Sequence, residues 1–186
     1  MDLDSRQLAD LIRGMRNTYM SGGNVMAHAR ELSQKQGFAG HNQRLSILIA
    51  YGLQAGAYVE RARANPNEKL CLAREIADLI IPVLPKGGSL LEVGVGEATT
   101  LAGVLTELLE KGARAFGFDI SWSRIKVENG WLREQSQAAE LFVGNLFNIP
   151  LADNSIDVVY SAHSLEPNGG REEEAIAECC ALPVDL

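Results

Sequence analysis

The chain has 186 residues, 46% of them hydrophobic, and a formal net charge of −7. Its length predicts one globular domain with a helical extension, and its acidic balance argues against a nucleic-acid partner, whose phosphates need clustered Lys and Arg. No apolar run reaches the ~18–20 residues of a bilayer span, the polar start at 1–10 is no secretory signal, and Cys71, Cys179 and Cys180 form no C-x-x-C pair; a cytoplasmic chain without a membrane partner is the expectation.

In chain order, residues 5–36 read as helix, with Leu8, Leu11, Ile12 and Met15 at spacings of three and four. The stretch MSGGN at 20–24 breaks it, and a second helix runs from Val25 to Gln36. After a turn at 37–41, Asn42 to Ala64 predicts one long helix, punctuated by NPN at 65–67. Glu68 to Val83 is a further amphipathic helix ended by Pro82. From Ser89 the pattern alternates. SLLEVG is a strand, ATTLAGVLTELLEKG a helix stopped by Gly112, and ARAFGFDI a strand. SRIKVENGWLREQS is helical with a candidate break at Gly130, AELFVGNL and IDVVYSAHS are strands, and GGREEEAIAECC is a helix with three Glu in its first turn. Strand–helix alternation predicts an α/β fold with an open, mostly parallel sheet over 85–186, behind an all-helical extension at 1–84.

In such sheets a ligand lies at the carboxyl ends of the strands. Gly94 and Gly96 stand at that end of the first strand, where glycine permits a sharp turn and close approach. Asp119, 25 residues after Gly94 at the end of the second strand, can accept both hydroxyl protons of a ribose; a helix-cap role is the alternative. The dinucleotide fingerprint wants a small residue where Thr99 stands. Glu92, two positions before the first glycine, sits badly beneath a pyrophosphate but suits a ligand carrying an ammonium or sulfonium. A nicotinamide-dependent oxidoreductase is therefore the disfavoured reading.

LLEVGVGEATT, GFDIS and VGNLFNIPLADNSIDVVYSAHSLE resemble, in order and spacing across 88–166, the motifs of the class I S-adenosylmethionine-dependent methyltransferases. The resemblance implies a Rossmann-like sheet of order 3-2-1-4 and S-adenosylmethionine as cofactor. It implies that Glu92, Gly94 and Gly96 surround the methionine part, Asp119 holds the ribose and Ile120 packs on the adenine. Asn145 would face the adenine amino group in place of the usual Asp, Leu146 would present its backbone beside the ring, and Ser161 would lie with His163 beneath the reactive methyl. Ala98 replaces the third glycine of the first motif. The family's sheet normally continues for three more strands, so this chain reads as a shortened version. Its fourth strand would be an apolar edge, covered by the N-terminal helices or a second copy of the chain.

Tyr51, Gln54, Ala55 and Tyr58 share one face of the long predicted helix. That face is either core packing or a lid that brings Tyr51 and Tyr58 to the cofactor, with Arg44 or Arg61 for its carboxylate. Methyl transfer to a hydroxyl needs a base, for which His163 is the first candidate and Glu166 the second; EPNGGR at 166–171 is a substrate loop or the turn into the last helix, with Asn168 near its cap. His28, His41 and His163 are too scattered for a metal site. The expected function is methyl transfer to a small-molecule acceptor, with a non-catalytic cofactor-binding or interaction module as the alternative.

Overall fold

A computed structural model describes residues 4–35, 41–165 and 170–184, with the side chains of residues 5, 33 and 41–44 left out. Two compact units divide the chain, Met1–Ala55 and Gly56–Leu186. The first comprises α1 (Ser5–Met20), α2 (Val25–Lys35) and α3 (His41–Leu53). Asp4 starts α1 as a capping box, its carboxylate accepting from the Arg6 and Gln7 amides at 2.8 Å while Gln7 accepts from the Asp4 amide. Leu11, Met15, Val25, Ala29 and Ala50 form this unit's core. Of the periodic apolar face read at 8–15, Leu11 and Met15 are what these helices bury, while Ile12 stands exposed.

The single helix expected over Asn42–Ala64 is two. Gly56 takes a left-handed conformation, φ 98°, and α4 (Ala57–Ala64) starts anew beyond it. The physical reason is an acceptor distant in sequence: Glu97 takes the Gly56 and Val59 amides at 2.8 and 2.9 Å. The expected shared face of Tyr51 and Tyr58 is therefore not one helix face. Pro66 opens α5 (Pro66–Ile80) at the position where a missing N–H costs nothing. The division between units falls after Ala55 rather than at 84/85, because α5 packs on α6 (Thr99–Glu107). Gly103 makes that approach possible, as a Cβ there would come within 2.7 Å of the Ala73 Cβ.

The sheet has the expected order. β1 (Ser89–Val93), β2 (Arg114–Asp119), β3 (Glu140–Val143) and β4 (Val158–Tyr160) pair in parallel as β3-β2-β1-β4. β1 is buried along its whole length, as a central strand covered on both faces must be. Leu90 faces the core formed with α5 and α6, while Leu91 and Val93 face Phe118, Ile149, Ile156 and Leu182. Between strands, α7 (Trp122–Glu134) runs unbroken through Gly130. β4 is shorter than its apolar run, and its residues are half-buried. Just before β4, Ile156 pairs in parallel with Pro183, and the Ile156 carbonyl accepts from the Val184 amide at 2.9 Å. α8 (Glu172–Cys180) carries its three first-turn glutamates as read. No described helix is long and apolar enough to cross a membrane.

Candidate functional site

The tips of the parallel strands converge on the loop between β1 and α6. Gly94 and Gly96 both have positive φ, 67° and 62°, which frees the backbone to fold back on the sheet. The Val95 amide donates to the Phe118 carbonyl at 2.9 Å, and the Gly96 amide to Asp119 Oδ2 at 3.2 Å. Asp119 Oδ1 accepts from the Ser121 amide at 2.8 Å, so this carboxylate joins the glycine loop to the start of α7. Burial raises the Asp119 pKa; the Ser121 amide, the Arg124 charge and the Gly96 amide oppose the rise. Asp119 is not the helix cap: Ser121 stands there.

The third and fourth strands bring the other expected residues to the same end of the sheet. The Gly144 amide donates to the Asp119 carbonyl at 3.1 Å, which sets half-buried Asn145 and Leu146 beside half-buried Ile120. Asn145 Oδ1 accepts from the Phe147 amide at 3.2 Å, a local turn bond. Beyond β4, the Ser161 and Ser164 hydroxyls lie 2.7 Å apart, and Ser164 donates to the Val93 carbonyl at 3.0 Å. Ser164 packs so closely over Gly94 that a Cβ there would stand 2.2 Å from the serine Cβ. The tips of β1 and β4 are thereby tied together. His163 is exposed on this segment; Glu166 and Asn168 lie outside the described residues.

Glu92 sits deeper than the loop, on the sheet face that carries Leu90. Its Oε2 accepts from the Tyr160 hydroxyl at 2.9 Å, across the β1–β4 register that pairs the two residues. Burial pushes its pKa up to about 8, while the Tyr160 hydroxyl, the Lys69 charge and the Leu101 amide pull the other way. Tyr160 is in turn raised well above the usual phenol range by its own burial and by Glu92. Glu92 is thus held by protein groups. Tyr58 is exposed on α4 with the Arg124 guanidinium 5.0 Å from its ring centroid. Arg61 is an exposed partner of Glu68 at 2.7 Å, the Arg44 side chain is outside the described residues, and Tyr51 belongs to α3 in the other unit.

Three buried charged residues escaped the sequence reading. Glu97 lies inside the glycine loop and caps α4. Arg124 and Glu128 stand one turn apart on the buried face of α7. Among the described residues neither carboxyl oxygen of Glu128 has a hydrogen-bond partner, and burial, with the charges of Asp119, Glu92 and Glu97, pushes its pKa up to about 9. Charges at that spacing read as a solvated helix face until the packing partner is known. Glu97 was the more legible of the three, being an acidic residue within the motif itself.

An open parallel sheet with a glycine turn and an acidic residue at neighbouring strand tips defines a nucleoside-binding α/β class. Residues 91–182 match a family described as a methyltransferase domain. The fold is that of the class I S-adenosylmethionine-dependent methyltransferases. No curated protein sequence matches it. Among solved structures, it resembles a Methanococcus maripaludis protein assigned as an S-adenosyl-L-methionine-dependent methyltransferase, at TM-score 0.57 and 15% identity, covering 69% of this chain and 57% of that one. It resembles CalS10, an amino pentose methyltransferase of Micromonospora echinaspora, at 0.53 and 19%, covering 68% and 51%. An Aquifex aeolicus S-adenosylmethionine-dependent methyltransferase matches at 0.51 and 17%, covering 60% and 58%. The chain thus spans between 51% and 58% of the length of these structures.

Proposed function

We propose that this protein binds S-adenosylmethionine at the β1–β2 tips and transfers its methyl group to a small-molecule acceptor. The observation that carries the reading is Asp119, 3.2 Å from the Gly96 amide. Its carboxylate accepts two backbone N–H groups, which leaves lone pairs for donors such as the paired hydroxyls of a ribose. The residues fit a nucleoside ligand: an acceptor-only carboxylate, two glycines at positive φ and half-buried Ile120 beside them.

When bound, the cofactor supplies a methyl group on a cationic sulfonium. In this reading Asp119 orients the ribose, Gly94 and Gly96 let the backbone approach the methionine part, and Ile120, Asn145 and the Leu146 backbone line the base. Glu92, neutral at physiological pH while buried, holds the floor of the loop through Tyr160. Ser161 stands at the β4 tip, and His163 takes the proton of a hydroxyl acceptor, with Glu166 as the second candidate. Alignment of acceptor and methyl is the chief contribution asked of the fold.

The test is calorimetric titration of the purified chain with S-adenosylhomocysteine, with NAD as control. Micromolar binding of the first alone supports the reading and justifies an acceptor screen. Binding without turnover on any acceptor would favour a cofactor-binding module, and binding of neither would overturn the proposal.

A further inference from the structure

Glu97 is placed where a charge is costly. It is 2% exposed, next in sequence to the glycine whose amide Asp119 accepts, and its charge raises both Asp119 and Glu128. A hydroxyl or a neutral amide would cap a helix on the surface; here a buried carboxylate reaches 41 residues back along the chain to the Gly56 amide, 2.8 Å away, and takes the Val59 amide at 2.9 Å. Both oxygens are committed to α4. A second tie runs beside it. The Arg124 guanidinium lies over the Tyr58 ring at 5.0 Å, and its Nη1 is 3.7 Å from where a Cβ on Gly96 would be. So α4 touches the Gly96–Glu97 segment through its own first-turn amides and, by way of Arg124, through Tyr58.

We propose that Glu97 is a positioning residue that couples the cofactor loop to α4, so that a ligand seated on Gly94, Gly96 and Asp119 also orders the first turn of that helix. The inference rests on the cofactor reading above. The physical argument is linkage. The Gly96 amide binds Asp119, and the next side chain along binds α4. A ligand that restrains the loop therefore restrains Glu97, and by reciprocity a well-formed α4 first turn holds the loop in the form the ligand needs. Tyr58, 44% exposed at the second position of α4, is carried with it. This gives α4 a role that its short length and polar sequence do not suggest.

Hydrogen–deuterium exchange of the full chain, with and without saturating S-adenosylhomocysteine, tests the coupling. The expected result is slower exchange of the amides at 56–60 in the wild-type protein when ligand is present. Glu97→Ala should lose this ligand-dependent slowing and bind the ligand roughly tenfold more weakly, within the usual span of coupled sites. Glu97→Gln, which can still accept one of the two bonds, should fall between them. Ligand binding that leaves exchange at 56–60 unchanged in the wild type overturns the coupling alone. Absence of binding by calorimetry overturns the cofactor reading and this inference together. Since the decisive comparison uses wild-type protein, it holds even if Glu97→Ala does not fold. A merely structural cap would change baseline exchange in the variant but not the ligand-dependent difference.

Discussion

Asp119 and Glu92 were read as two acidic contacts of one ligand, and their surroundings differ sharply. Asp119 accepts from two backbone amides and feels the Arg124 charge, whereas Glu92 is paired with Tyr160 inside the sheet. Replacing Asp119 with Ala should weaken S-adenosylhomocysteine binding by about 1.5–3 kcal/mol, the value of a charged hydrogen bond; unchanged affinity in a titration would remove the ribose assignment. His163→Ala should leave that affinity within about twofold, because a group acting only on the acceptor proton adds little to cofactor binding. Transfer to a hydroxyl acceptor should be lost, as read by a radiolabelled methyl assay. Glu128 makes a prediction about pH. Its folded pKa of about 9 lies above the ordinary 4.5, so the unfolded chain ionises first as pH rises. The wild type therefore loses stability between those two values and keeps it below them. Glu128→Gln removes the titration. Its stability relative to wild type should climb across that window, by at least about 2 kcal/mol at pH 9, measured by urea denaturation at several pH values.

At the scale of elements, glycines decide which segments can meet. Gly94 has φ 67°, and a Cβ there would fall 2.2 Å from that of Ser164. Gly94→Ala should therefore destabilise the domain by about 1–3 kcal/mol and displace the segment after β4. A thermal melt reads the first effect, and loss of S-adenosylhomocysteine binding the second. Periodicity located most of the elements, among them α1, α5, the central strand β1 and the acidic first turn of α8, but not every apolar position of α1 and α5 is buried, since Ile12 and Leu79 stand exposed. The break at Gly56 was not legible. Residues 42–64 contain no proline, and a glycine within a helical pattern is tolerated often enough to pass unnoticed. What ends the helix is the pair of amides captured by Glu97. Gly130 shows the opposite case, since α7 passes through it with its neighbours Trp131 and Leu132 buried.

For the whole molecule, the net charge of −7 favours a cationic ligand. S-adenosylmethionine carries one more positive charge than S-adenosylhomocysteine. Raising salt from ~50 to ~500 mM should weaken binding of the first more than the second, since screening acts on net charge. Equal salt dependence, measured calorimetrically, would count against a field contribution. The expected cover of the apolar β4 edge is the N-terminal helices or a second copy of the chain. Within this unit the β4 residues are half-buried, Ile156 ahead of them is bridged to Pro183, and Val159 packs in the cluster that holds Leu182 and Cys179.

The sequence by itself determined the class of fold and the positions of the glycine turn and Asp119, because these depend on short-range periodicity and on motifs whose residues are neighbours in the chain. The sheet order was implied by the family resemblance those motifs carry. Only the tertiary structure decided where charge is buried and what it holds. Glu92 on Tyr160, Glu97 on the start of α4, and Arg124 between Tyr58 and Gly96 are contacts between residues 28 to 68 positions apart. A buried charge is tolerated only where a partner meets it, and no local pattern in the sequence names a partner at that distance.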